Sequence, residues 1–405
     1  MKILVLNCGS SSLKFQLLEM EGEQALARGI VERIGQPGAG IHYTGDGGKV
    51  HREAEIADHE AAISLIFDLL LDGTHGVLTG MDEIDGIGHR VVHGAEHFSE
   101  SALISEEMIE AVRECIQFAP LHNPPNLTGI EAAARVCADI PQVGVFDTSF
   151  HSRMPRESYL YALPYELYEK LGIRRYGFHG TSHRYVMRRA AKLLDRDVAQ
   201  LKVITCHLGN GASVAAIDGG TSVDTSMGFT PLEGLVMGTR CGDLDPAILP
   251  YLMKHDHLDP AEMDSLLNKK SGLLGITGGT NDMREIEEQA AAGSERHQLA
   301  LDIFCRRVKK YVGAYAAVLG GADVIVFTGG IGENSPEVRR RVSEGLGYMG
   351  VRIDDRANEA GETRISLDQP PQGVAVMVIP TNEELAIARD TAAIVAQGRA
   401  AASGR

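Results

Sequence analysis

Three side chains far apart in the sequence, His179, Asn210 and Arg240, are all hydrogen-bond donors, and no carboxylate accompanies them as a base. They fall within the stretch Arg174 to Pro246, which contains RRYGFHGTSH, KVITCHLGNGAS and VDTSMGFTPLEGLVMGTRCGDLDP. In the loop His207-Leu208-Gly209-Asn210-Gly211, glycines let backbone N–H groups approach an anion without interference from a Cβ. Donors without a base suit a clamp on a phosphoryl group better than proton abstraction. Phosphoryl transfer depends on positioning and charge neutralisation more than on covalent help.

Competing chemistries fit these residues less well. His179 and His183 are four apart, as are His89 and His93, but zinc also needs a third ligand in a known pattern. Gly-Thr-Ser between 179 and 183 suits a loop entering a helix. A phosphohistidine at His179 or His122 is conceivable, although hydrogen bonding to the transferring group asks less of the sequence. Ser11 to Lys14 satisfies SxxK, yet Leu13, Phe15 and Leu17 alternate as a strand, whereas that motif opens a helix. Gly330, Gly332 and Ser335 fall one glycine short of a dinucleotide fingerprint. No GxxxxGK[ST] run exists in the chain, so a nucleotide, if one binds, must use the hairpin loops.

The elements that must position these groups read as follows. Residues 2 to 6 form a strand, Asn7 to Ser12 a polar turn, and Leu13, Phe15 and Leu17 a second, half-buried strand. The same grammar returns in the strand Lys202 to Cys206, the turn His207 to Gly211 and the strand Ser213 to Ile217. Two copies of one hairpin predict two domains of related topology. Between them helices are expected at about Glu60 to Leu71 and Glu106 to Phe118. Strands Ile84 to Gly88 and Gln142 to Phe146 lead into His89-Arg90 and Asp147-Thr148, at the strand ends where open α/β sheets bind ligands.

Further on, an amphipathic helix is expected from Ser182, with Val186, Ala190, Leu193 and Leu194 on one face. A long helix through Leu301, Cys305, Val308, Val312 and Tyr315 stops at Gly320-Gly321. Strand Val324 to Phe327 gives way to the loop Thr328 to Asn334, and Ser335 and Pro336 open the next helix. Strand Val374 to Ile379 precedes a final helix carrying Leu385, Ile387 and Ala388, and a frayed Ala, Gly and Ser tail follows.

Length and charge set limits. A chain of 405 residues exceeds one ordinary core, so two domains with a cleft are expected. The formal net charge of −16 argues against nucleic-acid and anionic-membrane partners, so local arginine and lysine must hold any anionic substrate. Six cysteines without CxxC spacing fit a reduced, cytoplasmic protein. After Lys2 only Ile3 to Leu6 precede Asn7, far short of a signal peptide, and no apolar run approaches a membrane span.

Nine blocks in order carry a resemblance. NCGSSSLKF, GHRVVHG, LHNPP, VFDTSFH, RRYGFHGTSH, HLGNGAS, PLEGLVMGTRCGDLDP, FTGGIGEN and PTNEEL together resemble the acetate kinases, from the first strand to the last helix. The resemblance implies an α/β chain of duplicated actin-like ATPase (ribonuclease H-like) domains with a central cleft. Their bounds would be 1–150, completed by a C-terminal helix at about 385–405, and 151–384. It also implies a homodimer and reversible phosphoryl transfer from ATP to acetate with Mg²⁺, or Mn²⁺ in its place.

By the same resemblance Arg90 binds the acid carboxylate. Val92, Leu121, His122, Phe178 and Pro231 line its pocket. Asp147, His179, Arg240 and Asn210 are catalytic, and Asn7 and Glu383 are metal-associated, Glu383 being preferred to Glu384 by motif position. Lys14, Ser10, Ser12, the segment His207 to Gly211 (with Leu208, Gly209 and Asn210), Asp282, Met283, Arg284, Gly330, Ile331, Gly332, Glu333 and Asn334 contact ATP or ADP. Arginine suits the two anions because it holds oxygens bidentately and keeps its charge. Asp147 before Thr-Ser also reads as an ordinary turn residue. Acetate is already ionised and needs no base, so a carboxylate there would work through Mg²⁺. A propionate or butyrate kinase, and a non-enzymatic actin-like scaffold, are the alternatives.

Overall fold

The computed structural model describes residues 1–120 and 122–403; Leu121, expected in the acid pocket, lies outside them. The chain divides into two compact units, one of residues 1–150 plus the segment from Asn382 onward, the other His151–Thr381.

In the first unit, β1 (Lys2–Cys8), β2 (Ser12–Glu19), β3 (Gln24–Glu32), β4 (Gly40–Gly45), β5 (Gly48–Glu53), β6 (Ile84–Val91), β7 (Ala102–Leu103) and β8 (Gln142–Phe146) form one sheet, ordered β5-β4-β3-β2-β1-β6-β8-β7. The apolar alternation of β2 buries Leu13, Phe15 and Leu17, which pack with Leu4, Leu6 and the helix His59–Leu70. In the second unit, β9 (Lys202–Leu208), β10 (Ala212–Asp218), β11 (Thr221–Thr225), β12 (Val324–Thr328) and β13 (Ala375–Val378) are ordered β11-β10-β9-β12-β13.

The internal duplication is visible in pairing direction as well as order. β3-β2-β1-β6-β8 and β11-β10-β9-β12-β13 each run antiparallel, antiparallel, parallel, parallel. The hairpins turn alike, with Gly9 N–H on Ser12 O at 2.8 Å and Gly209 N–H on Gly211 O at 3.1 Å.

Several boundaries differ from the sequence expectation because sheet pairing continues into the polar residues. Asn7 and Cys8 pair with Lys14 and Leu13, and His207 and Leu208 pair with Ser213 and Ala212. β6 extends to Val91, so His89 and Arg90 are strand residues, held by the parallel partners Gly144 and Val145. The helix from Glu106 ends at Glu114, and one 3₁₀ turn, Cys115–Gln117, follows.

Gly180 opens the helix expected from Ser182, and its buried face is Val186, Met187, Ala190 and Ala191, leaving Leu193 exposed. Gly329–Asn334 is a six-residue helix rather than a loop, and Ser335 caps the next helix by accepting from Val338 N–H.

The C-terminal helix runs Glu383–Ser403, so the expected frayed tail is helical to that point. It packs on β1, β6 and β8 of the first unit. Glycines in β6 permit this approach: a Cβ at Gly88 would stand 2.4 Å from Thr391 Oγ1, and one at Gly86 3.0 Å from Val395.

Candidate active site

In the first unit, the C-terminal ends of adjacent β1, β6 and β8 carry Asn7, Arg90 and Asp147, as expected for ligand binding at strand ends. Arg90 Nη2 donates to Asp147 Oδ2 at 2.6 Å, and the carboxylate is almost fully buried. The Arg90 Nε is buried with no hydrogen-bond partner. Burial works against the arginine's charge, but Asp147, Glu383 and Glu384 outweigh it and hold the guanidinium firmly protonated.

Glu383 feels the reverse balance. Burial, then Asp147 and Glu384 against the opposing pull of Arg90 and Lys14, pushes its carboxyl up to about 7. Glu384, the motif's alternative to Glu383, therefore belongs to the same charge cluster. Three carboxyl groups against Arg90 and Lys14 leave an excess of acidic groups. Asn7 stands opposite the exposed Lys14 in the hairpin register, and its carboxamide has no hydrogen-bond partner among the described residues. Ser10 is exposed and Ser12 half-buried at the same turn.

Asn123 and Asn126, which sequence reasoning passed over, hold the strand ends in place. Asn126 Oδ1 accepts from Val92 N–H at 3.1 Å while its Nδ2 donates to Cys8 O at 3.0 Å, bridging the ends of β6 and β1. Asn123 accepts from His93 N–H and donates to His93 O. The signal available was Asn-Pro-Pro-Asn, a proline-started helix that places both amides in its first turn. Val92 is buried, and half-buried His122 occupies the N-cap position of this helix without a side-chain capping bond.

In the second unit, the donors converge on the hairpin between β9 and β10. A Cβ at Gly211 would stand 3.4 Å from His179 Nε2 and 3.6 Å from Arg240 Nη1, so both side chains border one backbone position. His179 precedes its helix with φ 56° and stacks on His207 at 4.3 Å. His179 Nδ1 and His183 Nε2 nevertheless meet at one hydroxyl, Ser213 Oγ, at 2.9 and 2.7 Å.

Half-buried Arg240 has only weak contacts, Pro231 O at 3.4 Å and Met237 Sδ at 3.7 Å, and no carboxylate partner among the described residues. Burial lowers its pKa, with no acid nearby to oppose it. A guanidinium in that condition is ready for an anion.

Asn210 is fixed from two sides: its carbonyl accepts from Gly238 N–H at 2.9 Å and its Oδ1 from Asn281 Nδ2 at 2.9 Å. Gly238 must be glycine, because a Cβ there would fall 1.8 Å from Asn210 Oδ1. Gly209 lies beside Gly330, whose N would be 3.9 Å from a Gly209 Cβ, so two of the expected nucleotide segments adjoin. Gly330 is open on its Cβ side, whereas Gly332 is buried and Ile331 half-buried. Asn334 donates to Gly330 O at 2.9 Å.

Other expected residues also have partners within the protein. Glu333 Oε1 accepts from Gly329 N–H at 2.9 Å and Thr381 N–H at 3.2 Å, so it staples this segment together. Met283 and Leu208 are core side chains, and Phe178 is buried with its carbonyl on His151 Nε2. Asp282 and Arg284 pair with each other at 2.6 Å on the surface.

Comparison with known proteins agrees with this arrangement. The model of the acetokinase family matches residues 2–389. The acetate kinase of Halothermothrix orenii is 58% identical over 396 residues, covering 98% of this chain and 100% of its own. Among solved structures, Porphyromonas gingivalis acetate kinase superposes with TM-score 0.92 at 49% identity, covering 97% of this chain and 99% of its own. A propionate kinase from Francisella tularensis gives 0.90 at 43% identity, with the same coverages. These neighbours share the fold anticipated from the duplicated hairpins. With the match running almost end to end, the chain belongs to the acetokinase family and is a kinase.

Proposed function

We propose that the chain is an acetate kinase that transfers the γ-phosphoryl group of ATP to acetate, giving acetyl phosphate and ADP, and catalyses the reverse reaction. Its family membership sets aside the non-enzymatic scaffold. The observation that carries the site assignment is Arg240, a half-buried cation without an acid, bordering the Gly211 backbone together with His179.

The transfer is direct. An oxygen of acetate attacks the γ-phosphorus in line; the new P–O bond forms as the bond to the bridging oxygen breaks, and ADP leaves with that electron pair. Arg90 holds the acid carboxylate through the part of its guanidinium that Asp147 does not engage. Val92 and His122 of the first unit, and Phe178 and Pro231 of the second, are assigned to recognition of the acid's methyl group. Arg240, His179 and Asn210 donate to the transferring group, whose charge is greatest on its oxygens in the transition state. The backbones of Gly209–Gly211 and Gly330–Gly332 receive the nucleotide phosphates. Ser10, Ser12 and Lys14 of the first unit are also assigned to the nucleotide, and the Asp282–Arg284 turn of the second to the base and ribose.

Mg²⁺ fits the first unit's charge distribution. No group of three or more ligating side chains exists among the described residues, but Mg²⁺ is usually held by one or two carboxylates, substrate phosphates and water. Burial raises the Glu383 carboxyl, Asp147 and Glu384 add to the shift, and a divalent cation would favour its ionised form. Asp147, Glu383 and Asn7 would hold the ion, which supplies charge neutralisation of the phosphates; Mn²⁺ suits the same oxygen ligands.

A homodimer belongs to this reading. The helix Ile248–His255 has no buried residue and exposes Ile248, Tyr251 and Met253, an apolar surface suited to a second copy. All six cysteines are free and five are buried, as suits the reducing cytoplasm. No helix among the described residues is long and apolar enough to cross a membrane.

Hydroxamate formation from acetate, propionate and butyrate, with ATP and hydroxylamine and with or without Mg²⁺, tests the proposal. Preference for acetate and dependence on the metal are expected. One methylene changes specificity by about 1–3 kcal/mol, so some propionate turnover is compatible with it. Absence of hydroxamate from all three acids would refute the reading.

A further inference from the structure

Behind His179 in the second unit runs a chain of hydrogen bonds that the transfer mechanism does not itself require. Thr205 Oγ1 lies 2.7 Å from His183 Nδ1, His183 Nε2 lies 2.7 Å from Ser213 Oγ, and Ser213 Oγ lies 2.9 Å from His179 Nδ1. Thr205, His183 and Ser213 are fully buried. Sheet register builds the chain: β9 and β10 pair Thr205 with Ala215 and Ser213 with His207, and the helix Gly180–Leu193 packs on β9 and carries His183.

The direction of the protons in this chain follows from counting donors. His183 Nδ1 is the only hydrogen-bond partner of the Thr205 hydroxyl among the described residues. A hydroxyl hydrogen buried without an acceptor costs about 1–3 kcal/mol, so Thr205 donates and His183 Nδ1 accepts. Full burial, beside His151 and His207, keeps His183 neutral, so its single ring hydrogen is then on Nε2 and goes to Ser213 Oγ. The one hydrogen of Ser213 is left for His179 Nδ1. That nitrogen therefore accepts, and the ring hydrogen of His179 is on Nε2, the nitrogen beside the Gly211 backbone.

We propose that Ser213, oriented by Thr205 through His183, is a positioning residue that fixes the tautomer of His179 with its N–H on Nε2. The other neutral tautomer would turn a bare nitrogen toward an anionic phosphoryl group. The stack of His179 on His207, whose Nδ1 is 2.8 Å from Ser182 Oγ, holds the ring plane while the hydroxyl chain sets the proton. This inference rests on the reading of His179 as a donor to the transferring group.

The test uses ¹⁵N-histidine-labelled full-length protein, with His179 assigned by comparison with His179→Gln. An unprotonated Nδ1 and a protonated Nε2 are expected in the wild type. Ser213→Ala and Thr205→Val should each give a mixed tautomer signal and lower kcat by roughly 10- to 100-fold, the range seen when a partner that orients a functional histidine is removed. KM for acetate should be unchanged, and Thr205→Ser should restore both signal and rate. Thr205→Val keeps the shape of a strand residue and carries the test if Ser213→Ala does not fold.

A protonated Nδ1 in the wild type would overturn the proposal, as would wild-type turnover in both variants. Wild-type turnover in His179→Gln would instead remove the parent reading, while the nitrogen signals would still judge the hydroxyl chain.

Discussion

Arg90 and Asp147, 57 residues apart in sequence, are joined by a 2.6 Å hydrogen bond from Nη2 to Oδ2, while the arginine's Nε stays buried beside it without a partner. One edge of the guanidinium is committed to the protein, and the remainder is available to a second oxygen acid. Removing the arginine should therefore have two separable effects. Arg90→Ala strands a buried carboxylate, a change that typically costs about 3–5 kcal/mol, and should lower the urea midpoint. It should also raise KM for acetate far more than KM for ATP. Steady-state kinetics with each substrate varied in turn would show this, and an unchanged acetate KM would exclude Arg90 from acid binding.

Arg240→Ala should behave in the opposite way. Its native contacts are weak, so the urea midpoint should stay close to that of the wild type. Turnover should fall about 10² to 10³-fold, as when a donor to transition-state charge is lost. A variant with normal kcat would remove Arg240 from the chemistry.

Two glycines provide a matched pair. Gly238→Ala drives a methyl group into the Asn210 amide and should reduce kcat by displacing it. Gly330→Ala meets no atom within 4 Å of the new carbon, so the fold should tolerate it. If nucleotide phosphates approach that backbone, KM for ATP should rise while KM for acetate stays constant. Unaltered ATP kinetics would place the nucleotide elsewhere.

Acid should destabilise the protein over a defined window. Burial lowers the pKa of His89 to about 4, of His93 to about 3, of His151 to about 4 and of His183 well below its usual value. Below about pH 6.5 the unfolded chain takes up protons that the folded chain refuses, so stability falls as pH drops toward 4. Each such histidine contributes a slope of up to about 1.4 kcal/mol per pH unit. Urea denaturation at pH 7.5, 6.0 and 5.0 should show a declining midpoint, and a flat profile would mean that these rings are hydrated.

Much of the framework is legible in the sequence because it is local. The paired hairpins announce themselves through apolar strands that end in Asn-Cys-Gly-Ser and His-Leu-Gly-Asn-Gly, and strand ends place Arg90 and Asp147 on one edge. Boundaries are less legible, because whether His89 and Arg90 are strand or loop depends on partners in β8, more than 50 residues away. Glu333 has the appearance of a ligand in a glycine loop, but its carboxylate is used by Gly329 and Thr381 N–H groups. The chain from Thr205 to His179 is invisible to motif reading, since it depends on which faces of β9 and β10 meet one helix.

The return of the last helix to β6 has a consequence for biosynthesis. Ile387, Ala388, Thr391 and Val395 are buried residues of a segment synthesised long after β1, one of the strands it covers. That face of the first unit's sheet thus stays uncovered until the helix emerges, after everything from His151 to Thr381 has been made. Removing the helix Glu383–Ser403 should consequently loosen strands made hundreds of residues earlier.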